Sequence, residues 1–277
     1  MNQSADRPVA QDTHRLREPG APTLPWLALT LMCMTLSCAT APTETETGAL
    51  PAALDDSVWE VIAWHQVDDL PREIARLQTV FWDPRDTVSL RKLIRETPLV
   101  KDKTVLEIGT GTGLLSLYAL QFGAAKVVAT DVNPAAVANA IHNARLLDFE
   151  ERFEARLVSL KTPAAFSVIA DEETFDVILS NPPWVNRRPL RIEEFALYDE
   201  NFHLMRTLLE GLGKHLNPGG RVLLAYGSVD GIRTLTRMAG EMNMTTKVIG
   251  DDRNLDELEE EFLPGMLIEV KVSPSKR

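Results

Sequence analysis

The sequence predicts an α/β fold: a parallel sheet with helices on both faces, preceded by a small helical cap. Two observations predict the sheet. Between Lys103 and Gly227, short branched apolar runs such as "KTVLEIG", "AKVVATD", "TFDVILS" and "RVLLAYG" alternate with helical segments. A glycine-rich turn, "GTGTG" at 109–113, directly follows the first of these runs. A third observation predicts the cap. In "SVWEVIAWHQ", Val58, Ile62 and His65 fall at i, i+4 and i+7, with Trp59 and Ala63 adjoining that face.

The elements follow in order. Pro71 suits the first turn of a second cap helix, and "TVSLRKLIRE" has the periodicity of a third. The strand "KTVLEIG" precedes the helix "LLSLYALQFG", which ends at Gly123. "AKVVATD" is the next strand, and Pro134 opens the helix "PAAVANAIHNARLL". "FEARLVSL" and "TFDVILS" are two more strands. "HLMRTLLEGLGKHL" is a long helix, closed by the turn "NPGG" before "RVLLAYG". After the helix "GIRTLTRMAGEM", the stretches "TTKVIGD" and "GMLIEVKV" form a closing antiparallel pair around the acidic "DELEEEF".

The chain therefore divides into residues 1–50, an apolar signal-like segment with a flexible linker; 51–99, the helical cap; and 100–277, the sheet domain. In the first part, "RLRE" precedes an apolar run within residues 24–40, too short and impure to span a bilayer as a helix. Its end, "TLSCAT", resembles a bacterial lipoprotein cleavage box with Cys38 as the lipidated residue, although Thr35 stands where leucine is usual. Membrane attachment or export through this segment is one reading. A disordered extension, or a true start at Met32 or Met34, is the other.

Composition narrows the function. The net charge is −11, and with residues 1–50 set aside (3 basic, 5 acidic) the balance is 26 basic against 35 acidic. That disfavours a generic polyanion binder while leaving room for a local basic patch. Both cysteines, Cys33 and Cys38, precede residue 51, so the remainder has neither a disulfide nor a cysteine zinc site. The five histidines show no metal-ligand spacing, and no metal is expected.

The glycine turn carries the first chemical signal. In "VLEIGTGTGLLSL", Gly109, Gly111 and Gly113 alternate after Glu107, with Thr110 between the first two. The dinucleotide fingerprint G-x-G-x-x-G is not matched, and no Lys-Ser/Thr pair makes a phosphate loop. Glu107 would repel a pyrophosphate but suits a cationic ligand. Asp131 ends the second strand, where an acid accepts hydrogen bonds from both hydroxyls of a ribose. A nucleoside with a cationic appendage and no phosphate fits both features.

On these residues the chain resembles the class I S-adenosylmethionine-dependent methyltransferases over roughly residues 80–250. The resemblance implies a Rossmann-like seven-stranded sheet, with S-adenosylmethionine as cosubstrate. It assigns the methionine part to Glu107, Gly109, Thr110, Gly111 and Gly113, and the ribose to Asp131. Many members place an acid after the third strand against the adenine amine; here Ser159 stands about there.

The stretch "DVILSNPPWVNRR" (176–188) carries the second signal. Beyond the fourth strand, Asn181 to Trp184 would face the cofactor's methyl group. A planar amide or amine nitrogen is a poor nucleophile because its lone pair is delocalised. Two acceptors around its NH2, the Asn181 side-chain oxygen and the Pro182 carbonyl, would turn that lone pair toward the methyl. Pro183 biases Pro182 to extended geometry, and Trp184 offers a flat face for a planar substrate group.

This pattern is similar to the N/D-P-P-Y/F/W signature of amino-methyltransferases. "FWDPRDTVSL", through Pro84, Arg85, Asp86 and Thr87, resembles the P-R-x-[DE]-T segment of release-factor glutamine methyltransferases, one residue shorter. The resemblance implies N-methylation of a protein glutamine or other amide, with an exocyclic amine of rRNA or tRNA as the alternative. Arg187, Arg188 and Arg191 after the motif would contact phosphate or an acidic peptide, or form no more than a solvated loop. A binding module without catalysis is the alternative of another class. Use of S-adenosylmethionine implies a cytoplasmic protein; residues 24–40 point instead to a membrane-anchored one. The oligomeric state is not legible.

Overall fold

The computed structural model describes residues 56–251, 253, 254, 257 and 261–272. The apolar segment at 24–40, both cysteines and most of the acidic 256–262 stretch lie outside the described residues. Among the described residues, no helix is long and apolar enough to cross a membrane.

The helical cap expected over 51–99 is corrected at once. A short 3-10 turn (Asp56–Val58) leads into an antiparallel hairpin of β1 (Val61–His65) and β2 (Ile74–Leu77). Only the third expected helix forms, as α1 (Val88–Glu96), after a 3-10 turn over Pro84–Thr87. Ile62 and Trp64 are about half exposed and alternate with less exposed neighbours, a strand's period of two. The outer edge of β2 is covered by side chains instead of a third strand. Asn139 accepts from the Leu77 N–H (2.9 Å), and Asn143 accepts from the Ala75 N–H (2.8 Å) and donates to its carbonyl (2.9 Å).

The sheet then builds as expected: β3 (Thr104–Ile108), α2 (Leu114–Gln121), β4 (Lys126–Asp131), α3 (Pro134–Leu146), β5 (Phe153–Leu157), β6 (Phe175–Ser180), α4 (His203–His215), β7 (Leu216–Ser228), α5 (Val229–Glu241), β8 (Met244–Ile249) and β9 (Phe262–Val272). The strand order is β5-β4-β3-β6-β7-β9-β8. The first five strands are parallel, and β9 pairs antiparallel with both β7 and β8. The turn expected at 217–220 is absorbed into β7. Its register jumps there, Phe175 pairing with Leu216 and Val177 with Arg221. The chain reverses its direction of sheet growth at β3, so β3, β4 and β6 end together at the switch point where such sheets bind ligands.

Both faces of the sheet are covered, which is why its central strands read as unbroken apolar runs. One face packs Ile178 and Leu224 against Leu208, Leu209, Ile232 and Leu235 of α4 and α5. The other packs Val105, Val177 and Leu223 against Leu90, Ile94, Leu115 and Ala119 of α1 and α2. The hairpin and α1 belong to the same compact unit as the sheet.

Candidate active site

The glycine turn between β3 and α2 is tightly specified. Gly109 (φ 77°), Gly111 (φ 55°) and Gly113 (φ 85°) all adopt the left-handed region that side chains disfavour. The Gly109 and Thr110 N–H groups both donate to the Thr130 carbonyl, at 2.9 and 3.0 Å, tying the turn to β4. Gly113 is also a point of close approach. A Cβ there would stand 3.1 Å from Ala140 Cα on α3.

Two carboxylates meet at this turn. Glu107 is buried at the end of β3, and one of its oxygens accepts from Thr110 Oγ1 (2.8 Å), Ser116 N (3.1 Å) and Ser116 Oγ. Burial pushes its pKa up to about 7, against the pull of these donors; the neighbouring Asp131 charge adds to the rise. Asp131 accepts from the backbone N–H of Gly111 and of Asn133, both at 2.9 Å. Desolvation raises its pKa as well. The carboxylate expected to hold a ribose thus also shapes the glycine turn from within. Asn133, by contrast, caps α3 by accepting from Ala135 N (3.0 Å).

Asn181 lies at the end of β6 and lines the same cavity as Glu107, Gly109, Thr110, Gly111 and Asp131. Its Oδ1 is buried and has no hydrogen-bond partner. An orphaned buried acceptor costs about 1–3 kcal/mol, which a donor supplied by a ligand would recover. Pro183 also lines the cavity, and its carbonyl accepts from the buried Tyr226 hydroxyl (3.4 Å). Pro182 is buried beside it.

Trp184 departs from expectation. Its indole N–H donates to the Ala225 carbonyl (3.1 Å), and its ring lies over Gly227, where a Cβ would stand 2.3 Å from it. The ring packs against the main core rather than lining the cavity. Gly227 makes the room that a nonlocal contact requires.

Known proteins are similar to this chain in sequence and in fold. A family model described as "Ribosomal protein L11 methyltransferase (PrmA)" matches residues 87–182. The release factor glutamine methyltransferase of Cereibacter sphaeroides is 36% identical over 140 residues, covering 46% of this chain and 48% of its own. A Methanocaldococcus jannaschii protein, provisionally named a protein N5-glutamine methyltransferase, is 30% identical over 158 residues, covering 55% of this chain and 74% of its own. The chain belongs to the class I S-adenosylmethionine-dependent methyltransferases of the NPPY type.

Two solved structures agree on the fold of this methyltransferase. A SAM-dependent methyltransferase from Agrobacterium tumefaciens aligns with TM-score 0.53 at 18% identity, over 76% of this chain and 70% of its own. A ribosomal protein L11 methylase from Lactobacillus delbrueckii subsp. bulgaricus aligns with TM-score 0.50 at 21% identity, over 69% and 80%. The chain spans about half the length of most curated relatives it matches, the release factor enzymes among them.

Several lining residues of the methyltransferase cavity carried no signal in the sequence. Thr79, Phe81 and Trp82 reach it from the N-terminal segment, and Ile192 and Phe195 from the loop after the N-P-P-W motif. Where relatives place an acid, Ser159 instead accepts from Lys161 N (3.2 Å) in its own turn, and the wall there is Val158 with Pro163 to Ala165. The arginines separate. Arg187 lies over the Tyr198 ring at 4.8 Å, away from the cavity, whereas Arg188 lines an adjoining cavity with His203 and Arg206. Among the described residues, no group of three or more His, Cys, Asp or Glu could hold a metal ion.

Proposed function

We propose that this methyltransferase moves the methyl of S-adenosylmethionine to the side-chain amide nitrogen of a glutamine in a protein substrate. The buried, unpartnered Oδ1 of Asn181 carries the reading, because an amide NH2 is the donor it lacks. The names of the Cereibacter and Methanocaldococcus relatives agree with it.

The residues present fit the cosubstrate. Glu107 is buried with no basic side chain in ion-pair distance among the described residues, so a cationic ligand would offset the cost of its charge. Gly109 and Gly111 bring bare backbone to the cavity, and Gly113 lets the same turn pack close against α3. Asp131 retains lone pairs for ribose hydroxyls beyond the two backbone N–H groups it accepts. When bound, S-adenosylmethionine supplies an electrophilic methyl group on a sulfonium. The chain's part is positioning. Asn181 Oδ1 and the Pro182 carbonyl would accept the two substrate N–H groups and turn the nitrogen lone pair toward the methyl. As the N–C bond forms, the S–C bond would break to leave a neutral thioether, and the nitrogen's surplus proton would pass to solvent.

A second reading is an exocyclic amine of an RNA base. It is favoured by Arg188 and Arg206 in the adjoining cavity. It also agrees with a Shewanella loihica relative named tRNA1(Val) (adenine(37)-N6)-methyltransferase, 29% identical over 126 residues, covering 42% of this chain and 52% of its own. The acidic balance weighs against it. Either reaction expects the domain to work in the cytoplasm, where the cosubstrate is a metabolite. Mass spectrometry of the mature N-terminus tests the competing export signal at residues 24–40: a lipidated Cys38 would overturn that expectation.

The deciding experiment supplies labelled S-adenosylmethionine to the full chain with separate protein and RNA fractions. Label in a protein glutamine, lost in Asn181→Ala, is the expected result. Label in RNA selects the second reading. Cofactor binding without label in either fraction would make the chain a binding module and sink both.

A further inference from the structure

A second cavity, of about 600 Å³, opens beside the one that Asn181 lines, and Pro163, Pro183, Phe195 and Leu204 belong to the walls of both. The loop after the N-P-P-W motif brings Arg188 to it, and the first turn of α4 brings His203 and Arg206. No step of the methyl transfer uses these groups.

The loop that carries Arg188 is tied down. The Val185 N–H donates to the Leu197 carbonyl (3.2 Å) and the Asp199 N–H to the Val185 carbonyl (2.9 Å), stitching its two arms together. The Asn201 N–H donates to Asn186 Oδ1 (2.7 Å). Asn201 (φ 56°) and Phe202 (φ 50°) then both take the left-handed region, a strained choice for two successive residues with side chains. Phe202 is held there by its burial in the main core. The strained turn leads directly into α4, where His203 and Arg206 lie one turn apart on one face.

The arginines of this region divide by what the fold asks of them. Arg187 donates to the Tyr198 hydroxyl (3.3 Å) and covers its ring. Arg191 pairs with Glu193 and Glu194, at 3.3 and 3.4 Å. Among the described residues, Arg188 and Arg206 have neither an ion-pair nor a hydrogen-bond partner. The carboxylates nearby do not serve them. Asp199 accepts from the Leu204 and Met205 N–H groups, at 2.9 and 3.1 Å, and Glu200 forms no ion pair with either arginine.

Two guanidiniums on one cavity without a counter-charge suit an anion from outside the chain. Taken alone they would take a phosphate as readily as a carboxylate, and their surroundings decide. Glu200 and the exposed Leu160 share the wall with them. That fixed negative charge and apolar surface disfavour a phosphate chain, as does the excess of acid over base in residues 51–277. A carboxylate on a short alkyl stem meets both the guanidiniums and the apolar wall.

We propose that this cavity is a specificity site: Arg188 and Arg206 take the carboxylate of an aspartate or glutamate in the protein substrate while a nearby glutamine is methylated at Asn181. The inference rests on the glutamine reading given above and narrows which glutamines qualify. At about 3.3 Å per residue, an extended peptide crosses between adjoining cavities in about two to four residues.

The test gives the full chain labelled S-adenosylmethionine and short synthetic peptides with a single glutamine. The parent peptide surrounds it with glycine, alanine and serine, and the series moves one glutamate through the neighbouring positions on either side. Glutamate about two to four residues away should lower KM about 10-fold, with kcat within about three-fold. Arg188→Ala and Arg206→Ala should each remove most of that preference, with S-adenosylmethionine affinity within about two-fold. Arg188→Glu should come to prefer lysine over glutamate at the same position, a reversal that damage to the fold cannot produce. Equal KM for neutral and acidic peptides would overturn the proposal, as would a glutamate preference that survives in the Arg188→Ala/Arg206→Ala double variant. Label in an RNA fraction that the double variant loses would overturn it too, and assign the arginines to phosphate. If only whole proteins take label, mass spectrometry of the labelled glutamines decides: an acid should recur at the same short separation, and its absence counts against the site. No label in any glutamine would remove the underlying reading, and this inference with it.

Discussion

Gly265 and Asp86 occupy one space: the Cβ that any other residue would bring to position 265 falls 1.9 Å from the Asp86 carbonyl oxygen. The contact joins the C-terminal strand of the sheet to the segment that enters the site from the N-terminal side. Gly265→Ala should therefore push the 84–87 turn away and destabilise the fold by about 1–3 kcal/mol, as overpacking does. Gly240 in α5 has nothing within 4 Å of its Cβ position, so Gly240→Ala should instead stabilise by about 1 kcal/mol. Thermal unfolding of the two variants checks both signs. Equal melting temperatures would contradict the steric account.

Glu107 gives a pH prediction. Its pKa is raised in the folded state, so the folded chain binds more protons than the unfolded one between about 4.5 and 7. Its contribution to stability falls as pH rises through that window, by on the order of 3 kcal/mol if undamped. A cationic ligand favours the ionised form, so S-adenosylmethionine affinity should rise as pH passes through about 7. Glu107→Gln should bind more weakly, with that dependence gone. Calorimetric titrations from pH 6 to 8 measure it, and a parallel slope in the variant would assign the dependence to another group.

Arg156 and Glu173 form a paired clamp, with contacts of 2.6 and 2.7 Å, and Arg156 also donates to Glu154 (2.7 Å) and the Val168 carbonyl (3.0 Å). The clamp closes the base of the segment whose Val158 and Pro163 to Ala165 wall the cavity. The guanidinium holds the Glu173 carboxyl down at about 2, so this contribution is present above the ordinary glutamate range and lost as pH falls through about 2. Arg156→Ala should weaken S-adenosylmethionine binding through this wall while leaving the glycine turn intact. Hydrogen exchange confined to residues 158–170 would be its signature, and exchange spreading into 109–113 would oppose it.

The Trp184 ring yields a fourth prediction. Gly227→Ala would place a methyl 2.3 Å from the ring and 2.6 Å from the Leu263 carbonyl. Displacing the ring should cost about 1–3 kcal/mol and shift the tryptophan fluorescence. Trp184→Phe keeps most of the packing and loses the bond to Ala225, for about 1 kcal/mol. A larger loss in Trp184→Phe than in Gly227→Ala would reverse this ranking.

Legibility followed the range of the interactions. The sheet strands, the glycine turn and Asp131 were readable because each is set by its immediate neighbours: an apolar run, then Gly109, Gly111 and Gly113, then a helix. The hairpin was not, because "VIAWH" suits either period: it is fixed as a strand by pairing with β2, whose outer edge is in turn held by Asn139 and Asn143 far along the chain. Trp184 was misplaced for the same reason. Nothing near it in sequence shows that Gly227, forty-three residues later, leaves room for its ring.

Asn139 and Asn143 leave a last consequence. Both are fully buried, and Asn143 donates not only to Ala75 but to the Thr112 carbonyl at 2.9 Å, inside the glycine turn. Two amides on one helix thus serve as a surrogate strand for the hairpin and as a brace for the ligand loop. A cut at residue 100 would pass between groups that share these hydrogen bonds, leaving two amides in the interior with donors and acceptors unmet, at about 1–3 kcal/mol for each unmet group. The N-terminal segment is therefore not an interchangeable module. Grafting one from another member of the family would succeed only where it brings a backbone edge to meet these two asparagines.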